Sequence, residues 1–378
     1  MAISDSDMLQ AWTQVLTLCK LKRGEVVTIL TAPDTNQQTL STASMAAHGL
    51  GAVVNRLELP PINGERSLSR DKLAFVGVTP LTGNRAALAA LKASDLVLDL
   101  MTLLFSPEQL EILQGGTRIL LAVEPPDVLA RIVPTEADRV RVLAAGARLK
   151  AAKEMRITSA AGTDLRCAIG DYPLLEEYGF ADAPGRWDHW PSGFIATWPN
   201  EGQSRGRVVL DRGDILLPMK TYLAAPIEME IANGYVTSIN GGLDAELLRD
   251  YIESFADQEA FAVSHIGWGL QPKARWSTLG LYDREATIGM DARAFEGNFL
   301  FSLGPNTEAG GTRDTACHID IPMRRCTVAL DAEEVVVQGR VVDRDLARSQ
   351  AAERSVLSGF APGWAQRDCG AGAIMRRA

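Results

Sequence analysis

Along residues 1–150 the apolar positions switch repeatedly between two periods. Met8, Leu9, Trp12, Val15, Leu16 and Cys19 recur at helical spacing behind a Ser/Asp cluster suited to capping a helix. Glu25-Val26-Val27-Thr28-Ile29-Leu30 is then a β-branched run of the kind that forms a buried strand. The same reading predicts a helix over 37–48, a strand over 52–59, a helix over 84–93, a strand over 95–100, a helix over 107–113 and a strand over 118–123. Repeated strand–helix–strand units imply a mostly parallel sheet with helices on its faces, because parallel neighbours need a crossover.

The pattern changes near residue 150. A long helix over 135–153 reads as a connector, and beyond it short strands alternate with turn pairs. Ala232-Asn233-Gly234 between 227–231 and 235–239 predicts a hairpin, because Asn-Gly supplies the positive φ of a tight turn. Segments 326–330 and 335–342 predict a second hairpin, and a helix over 244–255 lies between the two. The expected organisation is an α/β domain over 1–150, a metal-binding catalytic α+β domain with much antiparallel sheet over 151–343, and a peripheral tail over 344–378 with little hydrophobic periodicity. No internal repeat is visible.

Composition narrows the function classes. With 46% apolar and 22% charged residues in 378, the chain reads as globular and as two domains. Lys plus Arg total 38 against 47 for Asp plus Glu, and a net charge of −9 disfavours nucleic-acid or anionic-membrane partners. The start lacks the basic and apolar regions of a signal peptide, and no run approaches the roughly 18 apolar residues of a membrane span. Five scattered cysteines with no CxxC point to a reducing cytoplasm without a disulfide framework. GxxxxGK[ST], strand-following GxGxxG and HExxH are all absent, so no nucleotide-binding signature accompanies the α/β half.

Candidate chemistry gathers around the histidines, of which there are 4. His48, among Ala46, Ala47 and Leu50, reads as a helix-surface or helix-end residue. In Cys317-His318-Ile319-Asp320-Ile321-Pro322 the alternation of a strand puts His318 and Asp320 on one face. A second histidine would complete a 2-His-1-carboxylate triad, which suits non-haem Fe(II) with open positions. His265 is the natural candidate, since it ends a strand-like run in Val263-Ser264-His265-Ile266-Gly267-Trp268-Gly269, against glycines that permit close approach. On spacing alone, a buried hydrogen-bonded His–Asp pair with a core His265 is the other reading. Residues 176–193 read as a long loop carrying Glu177, Trp187, Asp188, His189 and Trp190. Five of the 7 tryptophans (Trp187, Trp190, Trp198, Trp268, Trp276) lie near these histidines, as aromatic walls for a flat ring or as a satellite core under the loop.

Together, Gly185-Arg186-Trp187-Asp188-His189-Trp190-Pro191-Ser192-Gly193, Ser264-His265-Ile266-Gly267-Trp268-Gly269-Leu270-Gln271-Pro272, and Gly304-Pro305-Asn306-Thr307-Glu308 through His318-Ile319-Asp320-Ile321-Pro322 resemble the 2,5-dihydroxypyridine 5,6-dioxygenase family. These are Fe(II) ring-cleaving enzymes of bacterial nicotinate degradation. Thr82-Gly83-Asn84 and Arg118-Ile119-Leu120-Leu121-Ala122-Val123-Glu124-Pro125-Pro126 fit as well, and the resemblance runs to about residue 342. It implies an aminopeptidase T-like fold and one Fe(II) held by His265, His318 and Asp320. It further implies O2 as co-substrate without NAD or flavin, and cleavage between C5 and C6 to N-formylmaleamate.

The family is associated with a proton-handling histidine after the 95–101 strand, where Leu103-Leu104-Phe105-Ser106 offers none. Proton transfer then falls to His189, to Glu177 or to a water, or the preferred ring differs. His189, the remaining imidazole, is expected to titrate near neutrality. Two other readings stand beside this one: a metal-dependent aminopeptidase with two metals, and a non-enzymatic small-molecule binding protein whose histidines are structural. The expected partner is a small aromatic N-heterocycle, and the expected protein a cytoplasmic homo-oligomer.

Overall fold

The computed structural model describes residues 3–60, 79–103, 106–284 and 286–342; the expected tail over 344–378, and Leu104 and Phe105, lie outside these. Ser4 starts α1 (Asp5–Leu18) by accepting the Asp7 amide at 3.1 Å, and the helix buries Met8, Trp12, Val15 and Leu16 along one face. There follow β1 (Val26–Thr31), α2 (Gln37–Gly49), β2 (Val53–Glu58), α3 (Arg85–Lys92), β3 (Leu96–Asp99), α4 (Pro107–Gln114) and β4 (Arg118–Leu121). Next come α5 (Pro126–Arg131), which periodicity had not predicted, and α6 (Glu136–Ala151), opened by a Thr135/Asp138 capping box. His48 is exposed in the last turn of α2, where its Nδ1 lies 2.8 Å from the Ser44 carbonyl oxygen.

The second half begins with β5 (Glu154–Thr158), β6 (Asp164–Ala168), β7 (Leu174–Glu177), β8 (Trp187–His189), β9 (Phe194–Thr197) and β10 (Ser204–Leu210). It continues through β11 (Ile215–Leu216), β12 (Thr221–Tyr222), β13 (Ile227–Ala232), β14 (Tyr235–Gly241), α7 (Leu243–Glu253) and β15 (Val263–Gly269). It closes with α8 (Met290–Ala294), β16 (Phe299–Leu303), β17 (Ile319–Met323), β18 (Thr327–Leu330), β19 (Glu333–Val337) and β20 (Arg340–Val341). Asn233 and Gly234 turn the β13–β14 hairpin with φ of 51° and 80°. The expected strand over 335–342 is broken instead: Gln338 and Gly339 have φ of 49° and 78°, and the chain folds back between β19 and β20.

Three larger sheets result. The parallel one runs β2-β1-β3-β4-β8, an antiparallel one runs β14-β13-β10-β6-β5-β18-β19-β20, and a second antiparallel one runs β17-β16-β15-β9-β7. The expected loop over 176–193 is therefore a correction: it holds the end of β7 and all of β8. β8 pairs in parallel with β4, Leu121 opposite His189, so a strand from beyond residue 150 finishes the first sheet. All the described residues belong to one compact unit, and a buried cluster extends from Met8 to Val336. Residue 150 thus marks a change of strand pattern rather than a break in the core.

The glycines flanking His265 do permit close approach. A Cβ on Gly267 would lie 1.9 Å from the Ile195 carbonyl oxygen, and one on Gly269 would lie 2.2 Å from that of Phe295. Only a bare backbone lets β15 sit this close to its surroundings. No helix among the described residues is long and apolar enough to cross a membrane.

Candidate metal centre

β15 and the start of β17 present the candidate ligands, with β16 paired between them. The pairing of β15 with β16 is irregular between Val263 and Ile266, and His265 lies in that irregularity. Such breaks in a ladder re-aim side chains. Asp320 lies on β17 opposite Ser302 of β16, and His318 immediately precedes β17. All three side chains are buried, and their Nε2 and Oδ1 atoms form a small triangle. His265 Nε2 is 3.1 Å from His318 Nε2 and 3.1 Å from Asp320 Oδ1, and His318 Nε2 is 3.4 Å from Asp320 Oδ1. Metal–ligand bonds of about 2.1 Å meeting at right angles separate neighbouring donors by about 3 Å. The triangle therefore fits three donors on one face of a single divalent cation, and Fe(II) suits this donor set.

Ser302 settles which nitrogen of His265 faces the centre. Its hydroxyl donates to Asp320 Oδ1 at 2.6 Å and lies 3.1 Å from His265 Nδ1. With its single proton committed to the carboxylate, Ser302 accepts from Nδ1–H. Nε2 is left with a free lone pair, the form a metal ligand requires. Arg293, from α8, donates Nε to Asp320 Oδ2 at 2.6 Å and Nη1 to the Ile288 carbonyl oxygen. Burial alone would raise the Asp320 carboxyl, but Arg293 and both histidines outweigh it and hold Asp320 well below the usual carboxylate range. Burial likewise opposes protonation of His318, yet Asp320 beside it raises that imidazole above its ordinary value. Further out, Glu124 accepts from the Met290 amide at 2.7 Å and from the Thr287 hydroxyl, tying the turn that delivers Arg293.

The triad opens into a cavity of about 40 Å³ whose wall also contains Glu177, His189, Trp187 and Arg293. Every residue singled out in the sequence as metal-binding or catalytic is thus gathered here. His189 is at the end of β8, its backbone held by Asp188, which accepts from the His189, Gly179 and Tyr178 amides and from Arg186. Its Nε2 is buried without a hydrogen-bond partner. Glu177, at the end of β7, accepts from Ser192 Oγ at 2.9 Å; burial and then Asp188 push its carboxyl well above the ordinary range.

The near-neutral titration expected of His189 is corrected by its surroundings: burial, then Arg293, pushes the imidazole down to about 3. Its folded pKa therefore lies below the unfolded value of about 6.5. The unfolded chain binds more protons in between, so stability present above about pH 6.5 is lost as the pH falls toward that folded value. From about pH 6.5 to pH 5 the loss is about 2 kcal/mol. Urea titrations of His189→Gln should show that much less acid destabilisation over this interval. Equal pH dependence in the two proteins would mean that His189 is not held neutral.

Ser302 and Arg293 were missed in the sequence. The one available signal was a lone polar residue inside an apolar run, Phe299-Leu300-Phe301-Ser302-Leu303 for the first and Ala292-Arg293-Ala294 for the second. The tryptophans divide. Trp187 lines the inner cavity and an adjoining outer one of about 420 Å³, whose wall also holds Trp198. Trp190 and Trp268 are core residues, Trp190 packing edge-on against Trp12 with centroids 4.8 Å apart. Trp276 lies under the Arg324 guanidinium at 3.8 Å. The aromatic-wall and satellite-core readings each hold for part of the set.

Comparison with known proteins agrees with the geometry. A family profile described as 2,5-dihydroxypyridine 5,6-dioxygenase matches residues 7–343. A 2,5-dihydroxypyridine 5,6-dioxygenase of Pseudomonas putida is 51% identical over 350 residues, spanning 93% of this chain and 100% of the relative. The solved structure of 2,5-dihydroxypyridine dioxygenase from Pseudomonas putida KT2440 superposes with a TM-score of 0.90 at 51% identity, covering 92% of this chain and 100% of that one. Wild-type AmpT of Thermus thermophilus shares the fold at 14% identity, with a TM-score of 0.56 over 89% of this chain and 99% of that one.

Proposed function

Since the chain belongs to the 2,5-dihydroxypyridine 5,6-dioxygenase family, we propose that it uses Fe(II) held by His265, His318 and Asp320 to open 2,5-dihydroxypyridine between C5 and C6. The product of this reading is N-formylmaleamate, within the breakdown of nicotinate-type pyridines. Both atoms of O2 enter that product, so the balance needs no external reductant, NAD or flavin. The observation that carries the proposal is the buried triangle of two imidazole nitrogens and one carboxylate oxygen at the wall of a cavity.

Bound Fe(II) supplies the electron exchange that ground-state O2 needs. The protein's own groups do the rest. Asp320 and Arg293 cancel one another's charge, while burial favours the neutral forms of Glu177 and His189. These four groups then add no net charge against a divalent cation, and the site favours a substrate bound through an anionic oxygen. His189 Nε2, neutral and unpartnered, is the acceptor for the proton of the 5-hydroxyl. Glu177, protonated and oriented by Ser192, is a donor for protons returned later. The low exposure of these groups keeps bulk solvent from the reacting atoms. Four described cysteines, all buried and unbridged, accord with the reducing cytoplasm this reading assigns to the protein.

Anaerobic reconstitution with Fe(II), followed by oxygen uptake on adding 2,5-dihydroxypyridine, tests the proposal. One O2 should be consumed per ring lost, with both atoms recovered in the product by mass spectrometry. An iron-loaded protein that leaves this substrate intact would overturn it.

A further inference from the structure

Glu308 is a part of the site that the reaction described above leaves unused. It lies in the short turn Thr307–Ala309 before β17. The turn is firmly built. Asn306 is fully buried, accepts the Arg313 amide at 2.8 Å and donates to Glu201 at 2.7 Å. A Cβ on Gly311 would stand 2.2 Å from Asn306 Cγ, so a bare glycine makes room for that anchor. On this base Glu308 Oε1 accepts from Trp198 Nε1 at 3.2 Å, and the Trp198 ring meets His265 edge-on with centroids 5.8 Å apart. Glu308 Oε2 is shut off from solvent and has no partner.

Both Glu308 and Trp198 line the outer cavity of about 420 Å³, whose wall is mostly apolar (Leu110, Leu113, Leu174, Leu175) with Gln109 and Asp314 as further polar members. Leu175 and Trp187 also line the inner cavity, so the two spaces adjoin. The inner space of about 40 Å³ has room for about three waters, too little for a substituted ring. A ring whose hydroxyl reaches the triad must therefore extend toward the outer cavity. A carboxylate oxygen shut off from solvent and left without a donor costs free energy unless the ligand brings the donor.

We propose that Glu308 is the specificity-determining acceptor for the ring N–H of the substrate, selecting N-heterocycles in their lactam form over rings lacking that hydrogen. This rests on the dioxygenase reading of the triad. A 2-hydroxypyridine in its pyridone tautomer carries an N–H donor beside a carbonyl, and Glu308 Oε2 supplies the matching acceptor. Trp198 fixes the other oxygen, so the carboxylate cannot turn away. A ring with oxygen in place of N–H would set acceptor against acceptor.

The test is anaerobic binding of two probes to the iron-loaded protein: 2,5-dihydroxypyridine and 5-hydroxy-2-pyranone, in which ring oxygen replaces N–H. The wild type should prefer the first by roughly 10- to 100-fold, the range for a hydrogen bond to a charged group. Glu308→Gln keeps the acceptor for Trp198 but turns its other atom into a donor, and its preference should collapse to within a few-fold. A ratio of two affinities cancels any loss of folded or iron-loaded protein, so a partly damaged variant still reports. If wild type cleaves 2,5-dihydroxypyridine and Glu308→Gln retains the wild-type ratio, the Glu308 assignment is overturned while the dioxygenase reading stands. If iron-loaded wild type neither binds nor cleaves 2,5-dihydroxypyridine, both fall together.

Discussion

His265→Ala, His318→Ala and Asp320→Asn will each lose iron and drop ring cleavage to background while the protein remains folded. Removing a residue that merely orients a metal ligand commonly costs about 10- to 100-fold in metal affinity. Removing one of three ligands should cost more, since among the described residues these three make the one cluster found that could hold a metal. Asparagine is the better replacement at Asp320. Either residue takes the counter-charge from the Arg293 guanidinium, now bonded at 2.6 Å, at a cost of roughly 3–5 kcal/mol, but asparagine keeps an acceptor for it. Chelation of the wild type should abolish turnover and Fe(II) should restore it. Zn(II) should bind without restoring turnover, because it has no redox change to offer O2. Iron content, circular dichroism and oxygen uptake on the purified variants decide the matter. Wild-type iron in any one of them removes that residue from the ligand set, and full activity in iron-free wild type would end the iron proposal.

A second large effect is expected at His189. His189→Ala should retain iron but lose roughly 10²- to 10⁴-fold in turnover, the span associated with loss of a general acid–base group. The sign of its pH dependence follows from burial. Desolvation, then Arg293, holds the free imidazole down to about 3, so it is already an acceptor across the neutral range. The limb that it contributes to kcat/KM should therefore lie on the acid side, with activity falling as the pH approaches that value, and not near neutrality. The alanine variant should lack this limb. Near-wild-type turnover with an unchanged profile would show that His189 only completes β8, and attention would pass to Glu177. Its carboxyl, raised by burial and Asp188, would then have to act from the protonated form.

Much of the frame could be read from one-dimensional pattern. The alternating periods of residues 1–150 predicted β1 to β4 of the parallel sheet and helices α1 to α4, and Asn233-Gly234 predicted its hairpin, because each signal is local: a burial face, a cap, a positive φ. The spacing of His318 and Asp320 put an imidazole and a carboxylate on one side of a strand for the same reason. His265 could be nominated by its glycines, whose need is visible in the close approach of Ile195 and Phe295.

What the pattern left undecided depends on residues far apart in the chain. Only the pairing of β8 with β4 brings His189 and its unpartnered Nε2 to the cavity, and a segment that looked like a loop gave no local sign of it. Only the register of β16 against β17 turns Ser302 into the group that orients His265. Which tryptophans face the cavity and which fill the core was equally invisible, since an aromatic side chain satisfies either role. The composition and spacing of this chain determined many of its elements and the residue types of its candidate ligands by short-range sterics and burial. Which groups meet, and how far desolvation displaces their protons, was decided by strand pairing and packing across the whole unit, because the energy of a buried charge depends on every neighbour that replaces water.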